Sequence, residues 1–138
     1  MTEREFVKLL FDRYLNATGN DINIDEVGYY LEPFLISTSD DSFNIELTKR
    51  AAARVVHEFL INVLKIKDLD WQNAARIKDI YECKVCANSI AQAFRRCIID
   101  TDEENVFNLN RNLSDKEIDK IIDKVMLISL HESPAVHA

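Results

Sequence analysis

Apolar residues return at steps of three and four along most of the chain, and that period predicts helices. Phe6, Leu9, Leu10, Tyr14 and Ala17 mark a first helix over residues 2–17. Thr2 stands where a capping hydroxyl belongs, Glu3 and Glu5 occupy the first turn, and Gly19 supplies the stop. A second helix is expected over 25–31, ending near Pro33 because the residue before a proline is driven from helical angles. Residues 37–42 read as a polar loop. The clearest period starts at about Thr48, where Ala52, Val55, Val56, Phe59, Leu60 and Val63 form a core-facing stripe. Lys49, Arg50, Arg54 and Glu58 are expected to face water. The period breaks over 65–71, and 70–77 is expected to be a short helix with Trp71 folded back on the core.

The stretch from Ile77 to Val125 organises the rest. It predicts an amphipathic helix ending at Ile98-Ile99, a polar loop, a buried Phe107, and a second helix opened by Ser114. Glu117 follows three residues on, the spacing of a reciprocal capping box. The plan also stands earlier, where FNIELTKRAAARVV parallels FNLNRNLSDKEIDKII. Leu47 and Leu113, Thr48 and Ser114, Val55 and Ile121, and Val56 and Ile122 keep one register. Upstream, Leu35-Ile36 parallels Ile98-Ile99 across a shorter loop. The expected fold is one all-α domain over 1–138, built of tandem helix-loop-helix repeats at about 16–62 and 77–127 with an added N-terminal helix. Residues 128–138 read as a fraying tail.

Composition supports this picture. With 138 residues, 47% hydrophobic and 30% charged, the chain suits a single globular domain. Two Gly and two Pro are too few for a turn-dense β fold. A net charge of −7 opposes unaided nucleic-acid binding, and the short basic clusters Lys49-Arg50-Arg54 and Arg95-Arg96 read as solvated helix faces. No apolar run is long enough to predict membrane insertion. The charged start MTEREFVKLL has no leader pattern, so the expectation is a cytosolic protein or a chain that begins after a processing site.

The cysteines offer candidate chemistry. Cys83-Lys-Val-Cys86 has the spacing of a redox pair or half a zinc site, and Cys97 is a possible third ligand. There is no second such pair, no histidine near in sequence, and no βαβ pattern; His57 would have to approach through the fold. Buried cysteine also behaves as a small hydrophobe, so packing outweighs metal or redox work. Residues 100–104 begin like a calcium loop, yet Asn105 and Arg111 fall where glycine and a bidentate glutamate are required. No phosphate-cradling glycine loop, nucleophile elbow or HExxH motif occurs. Neither catalysis nor a cofactor is expected.

Ile77-Lys-Asp79-Ile80 followed by Val85-Cys86, Ser89-Ile90, Phe94, Cys97-Ile98-Ile99, Phe107 and Leu113-Ser114-Asp115-Lys116-Glu117 resembles, without a gap, the S-layer homology repeat. Its consensus runs F-x-D-V, W-A, A-I, an aromatic, G-I-I, a loop phenylalanine and I-T-R-A-E. Phe43 and Leu47-Thr48-Lys49-Arg50-Ala51 occupy the matching places of a first copy. The resemblance implies a non-catalytic bacterial module of helix pairs, usually three to an anchor, that holds proteins to anionic cell-wall polysaccharide. Its binding element, T-R-A-E, carries over to Thr48, Lys49 and Arg50 in the first copy and to Ser114 and Glu117 in the second. A helix start and a guanidinium suit an anion for the reasons of unpaired N–H groups and paired hydrogen bonds.

Departures from the pattern are Ala51 in place of the acid, Asp115 in place of the arginine, and an acidic loop in place of the glycine-rich turn. The expected function is therefore a cell-envelope or S-layer-type binding or assembly module with degenerate motifs. Its partner is cell-wall polysaccharide or another envelope protein, at the cell surface or secreted, with the cytoplasm left open. The alternatives are a thiol or zinc protein centred on Cys83, Cys86 and Cys97, and an intracellular helical adaptor. Two repeats without a third leave an apolar flank, which predicts self-association.

Overall fold

Three of the helices among the described residues begin in the same way, at a hydroxyl that follows an apolar residue. The computed structural model describes residues 1–20 and 46–130. Over them run α1 (Glu3–Thr18), α2 (Lys49–Asn62), α3 (Ala87–Arg95) and α4 (Asp115–Leu130), with a 3₁₀ turn at Gln72–Arg76 and no strand among the described residues. The all-α expectation holds. The expected helix over 25–31, the 37–42 loop, Leu35-Ile36, Phe43 and the final eight residues lie outside the described residues.

Thr2, Thr48 and Ser114 are the hydroxyls that open α1, α2 and α4, and Met1, Leu47 and Leu113 precede them. Each hydroxyl oxygen accepts from the amide three residues on, at Glu5, Ala51 and Glu117. In α1 and α4 the glutamate there reaches back to the cap amide, which completes the box. The three starts lie side by side: the Leu47 amide donates to the Met1 carbonyl at 2.8 Å, and the Leu113 amide repeats the bond to Leu47 at 3.2 Å. Single bridges Thr2–Glu46 and Thr48–Asn112 accompany them. The residues four, seven, eight and twelve places after each hydroxyl are Phe6, Leu9, Leu10 and Tyr14; Ala52, Val55, Val56 and Leu60; and Ile118, Ile121, Ile122 and Met126. All but the partly buried Leu9 are buried. The first helix thus shares this register with the helices that begin at Thr48 and Ser114.

Helix α2 is the centre of the core, with α1 and α3 packed against it and α4 packed against α1. Three successive alanines, Ala51 to Ala53, allow close approach, and Phe59 sits against the rings of Phe11 and Tyr14 at centroid distances of 5.7 and 5.3 Å. Gly19 ends α1 in the left-handed region (φ 75°) and returns its amide to Leu15, as its place in the sequence predicts. Arg13 lies 3.8 and 3.7 Å from Asp119 and Asp123 of α4, exposed contacts of small worth.

Several expectations are corrected. Lys49 is only 4% exposed, and Arg50, Arg54 and Glu58 are half-buried rather than facing water. Arg95 and Arg96 are buried, because the Nε of Arg95 donates to the Asp70 carbonyl and Arg96 to that of Lys67. The expected helix from Ile77 is helical only from Ala87. Its first part closes instead as three-residue turns, Ile80 onto Ile77, Glu82 onto Asp79 and Cys86 onto Cys83, whose period of three is easily confused with 3.6. At the other end Cys97 takes φ 60°, while its amide bonds Phe94 and that of Ile98 bonds Ala93. This is the paired pattern of a glycine-type stop. Helix α4 continues to Leu130 with Ile128 buried, so the fraying tail does not begin at 128.

Candidate functional site

The acidic loop after α3 is built around two aspartates. Asp79 is buried, and its two oxygens accept the amides of Phe107 and Asn108 at 2.8 Å each. Asp102 accepts the amides of Glu104 and Val106, bonds that hold its carboxyl below the usual range. Asn105 and Asn108 take the left-handed φ that these turns need (63° and 65°). Together these bonds drive Phe107 into the core and bring the loop against the start of α2.

Between this loop, the start of α2 and the first turns of α4 lies an open groove of about 350 Å³. Ile98, Ile99, Leu113 and Ile121 give it apolar surface, and Lys49, Arg111, Lys120 and Lys124 face Asp100, Asp102 and Glu117 around it. The Lys49 ammonium donates to the Asp100 carbonyl at 2.8 Å and lies 4.5 Å from the centre of the Phe107 ring. Burial, then the positive charge of Arg111, pushes this lysine below its ordinary pKa, with Glu117 opposing.

Arg111 grips Glu117 with two parallel bonds of 3.0 and 2.6 Å. That pairing, with help from the Ser114 amide and hydroxyl, brings the Glu117 carboxyl down to about 2 from an ordinary 4.5. Because the folded value is the lower, the stabilisation is present above pH 4.5 and is lost as pH falls toward 2. An NMR titration of the Glu117 side-chain carboxyl should find its midpoint near 2, and Arg111→Ala should move it upward. A midpoint near 4.5 in the unaltered protein would show that the pair does not form.

Of the residues singled out in the sequence, Lys49 and Glu117 line this groove, and Thr48, Arg50 and Ser114 do not. Thr48 and Ser114 are engaged as caps, and the Arg50 amide is bonded to the Leu109 carbonyl. The sequence reading missed Arg111, Lys120 and Lys124. The signal was available in part: Lys120 and Lys124 are one helical turn apart, three and seven residues after Glu117, on the face that carries Ile121.

A second polar constellation lies between α2 and α3. His57 Nδ1 is 3.0 Å from the Ser89 hydroxyl, and Nε2 is 2.7 Å from Asp68. Since a carboxylate only accepts, the neutral ring carries its proton on Nε2 and accepts from serine. Serine, histidine and aspartate in series suggest a nucleophile, but Ser89 is 5% exposed, and the neighbouring bonds have another object. Asn88 donates to Asp68 and accepts from Trp71, while Gln92 bonds both the amide and the carbonyl of Leu69. With Arg95 and Arg96, this face of α3 clamps the segment 67–71.

Cys83 and Cys86 are joined as a disulfide, and Cys97 is a half-buried free thiol. His57 is committed to Ser89 and Asp68 rather than to the cysteines. No cluster of three or more His, Cys, Asp or Glu side chains suited to a metal occurs among the described residues. Nor is any described helix long and apolar enough to cross a membrane. No protein-family model, curated protein or solved structure matches this chain.

Proposed function

We propose that this protein is a non-catalytic binding module of the S-layer homology type that holds an anionic polysaccharide of the bacterial envelope in the groove between α2 and α4. The observation that carries the reading is the groove's composition: four cations and three carboxylates over apolar surface, on a chain of net charge −7. Cations meet a sugar's acidic groups, carboxylates and Asn108 suit its hydroxyls, and apolar side chains suit the C–H face of its ring. The arginine missing at position 115 has a counterpart in Arg111, which enters from the preceding loop.

The joined helix starts also support the reading. An anchor of this kind usually has three units, and α1 brings a third hydroxyl-capped start within the same chain. The argument for self-association from a missing unit therefore does not extend to the flank that α1 covers. A carbohydrate is favoured over a protein partner because charged side chains of both signs ring the groove's apolar surface.

Sedimentation of the purified protein with isolated bacterial cell walls tests the proposal. The unaltered protein should bind, more weakly as salt rises. Changing Arg111, Lys120 and Lys124 together to alanine should weaken binding by ~10-fold or more, the worth of about one lost charge-assisted hydrogen bond. Arg50→Ala should have little effect. Absence of binding, or binding unaffected by the triple change, would remove the groove from the account.

A further inference from the structure

We propose that the Cys83–Cys86 disulfide is an exchangeable redox site, attacked by an incoming thiolate at Cys83 with Cys86 as the leaving sulfur. Nothing in the groove uses this pair, and the inference does not depend on polysaccharide binding. The two cysteines differ sharply in access. Cys86 is 0% exposed, whereas Cys83 is half-buried. Around Cys83 the turn is open to solvent: Tyr81 is 65% and Val85 73% exposed, and Glu82 and Lys84 are exposed too. A thiolate therefore reaches one sulfur and not the other.

Cys86 is also the cap residue of α3, and no side chain makes a capping hydrogen bond at this helix start. A thiolate released there meets the positive end of a nine-residue helix, which favours the ionised form of cysteine and opposes the effect of its burial. A purely structural role fits poorly. The bond spans a separation of three residues, and a crosslink that closes so short a loop restricts the unfolded chain less than any longer one.

The thiolate forms a bond to Cys83 Sγ while the Cys83–Cys86 bond breaks, and the electron pair leaves on Cys86 Sγ. A second thiolate attacks the external sulfur of the mixed disulfide and releases Cys83 as a thiolate, and both cysteines take up the protons that the two thiols gave. Two external thiols become one disulfide, and the protein gains two thiols. The reductant is a thiol, supplied by a small molecule or by a cysteine of another protein.

The test uses the unaltered chain. Oxidised protein is incubated with reduced glutathione or, at equal thiol concentration, with a reduced peptide carrying a Cys-x-x-Cys pair, then quenched with iodoacetamide. Lys84 lies between the two cysteines and Arg96 precedes Cys97, so tryptic peptides report each sulfur separately. The proposal expects the mixed disulfide on Cys83 and the alkyl group on Cys86, with a preference of about tenfold or more. Faster reduction by the peptide points to a protein thiol as the source, and equal or slower reduction to a small one. Adduct on Cys86, an even distribution, or no exchange in protein whose far-UV circular dichroism stays helical would overturn it.

Discussion

Replacing Phe107 with alanine is expected to lower the unfolding free energy by ~3–5 kcal/mol and the melting temperature by roughly 10–20 °C. The ring is fully buried, and its loss leaves a cavity beneath the loop that the Asp79 bonds hold in place. Lys49 adds to the cost. Its ammonium rests on this ring, and although the Asp100 carbonyl remains as a partner, a buried lysine would lose a charge-stabilising contact. Phe107→Leu should recover most of the loss, because volume rather than aromatic character fills the site. Urea melts followed by circular dichroism measure both. A loss below about 1 kcal/mol for the alanine variant would mean that the loop does not carry its phenylalanine into the core.

Asp79→Ala is expected to cost ~2–4 kcal/mol, since it deprives two amides of charged acceptors, one of them in the buried Phe107 backbone. Asparagine should rescue little of this. Its amide offers one oxygen where the geometry demands two, and its NH₂ would point a donor at a donor. The loop depends on the same carboxylate, so amide exchange at Phe107 and Asn108 should rise in both variants more than exchange in α2. Near-native stability of Asp79→Asn would show that only one of the two bonds matters.

Much of this architecture was legible because periodic burial leaves a mark on sequence. The Ser114–Glu117 capping box, the Thr48 cap, the Gly19 stop, the inward face of α4 and a buried Phe107 each follow from residue type at a fixed spacing. What escaped was decided by long-range partners. Lys49 looks like a surface residue until the Asp100 carbonyl and the Phe107 ring reach it from half the chain away. Arg95 and Arg96 look solvated until the segment 67–71 turns its carbonyls toward them. Arg111, read as a misplaced residue in a failed calcium loop, acquires its role only when α4 brings Glu117 alongside.

The register of the first helix is a different case. Thr2, Glu5, Phe6 and Leu10 keep step with Ser114, Glu117, Ile118 and Ile122, so the information was present. It was obscured because Phe43 and Phe107 anchor the parallel between the other two stretches. Of the groove's lining, Lys49 and Glu117 stand at the T-R-A-E positions, whereas the lysines on α4 lie beyond that motif.

The most direct test of the account is an amide-shift titration of the labelled protein with carboxylate-bearing fragments of bacterial cell-wall polysaccharide. Saturable shifts are expected at Lys49, Asp100, Asn108, Arg111, Lys120 and Lys124, with saturation moved to ~10-fold higher concentration or beyond when the three exposed cations are changed to alanine. Shifts gathered instead around Trp71, Tyr81 and Val85, or no saturable shifts from a folded protein, would contradict it.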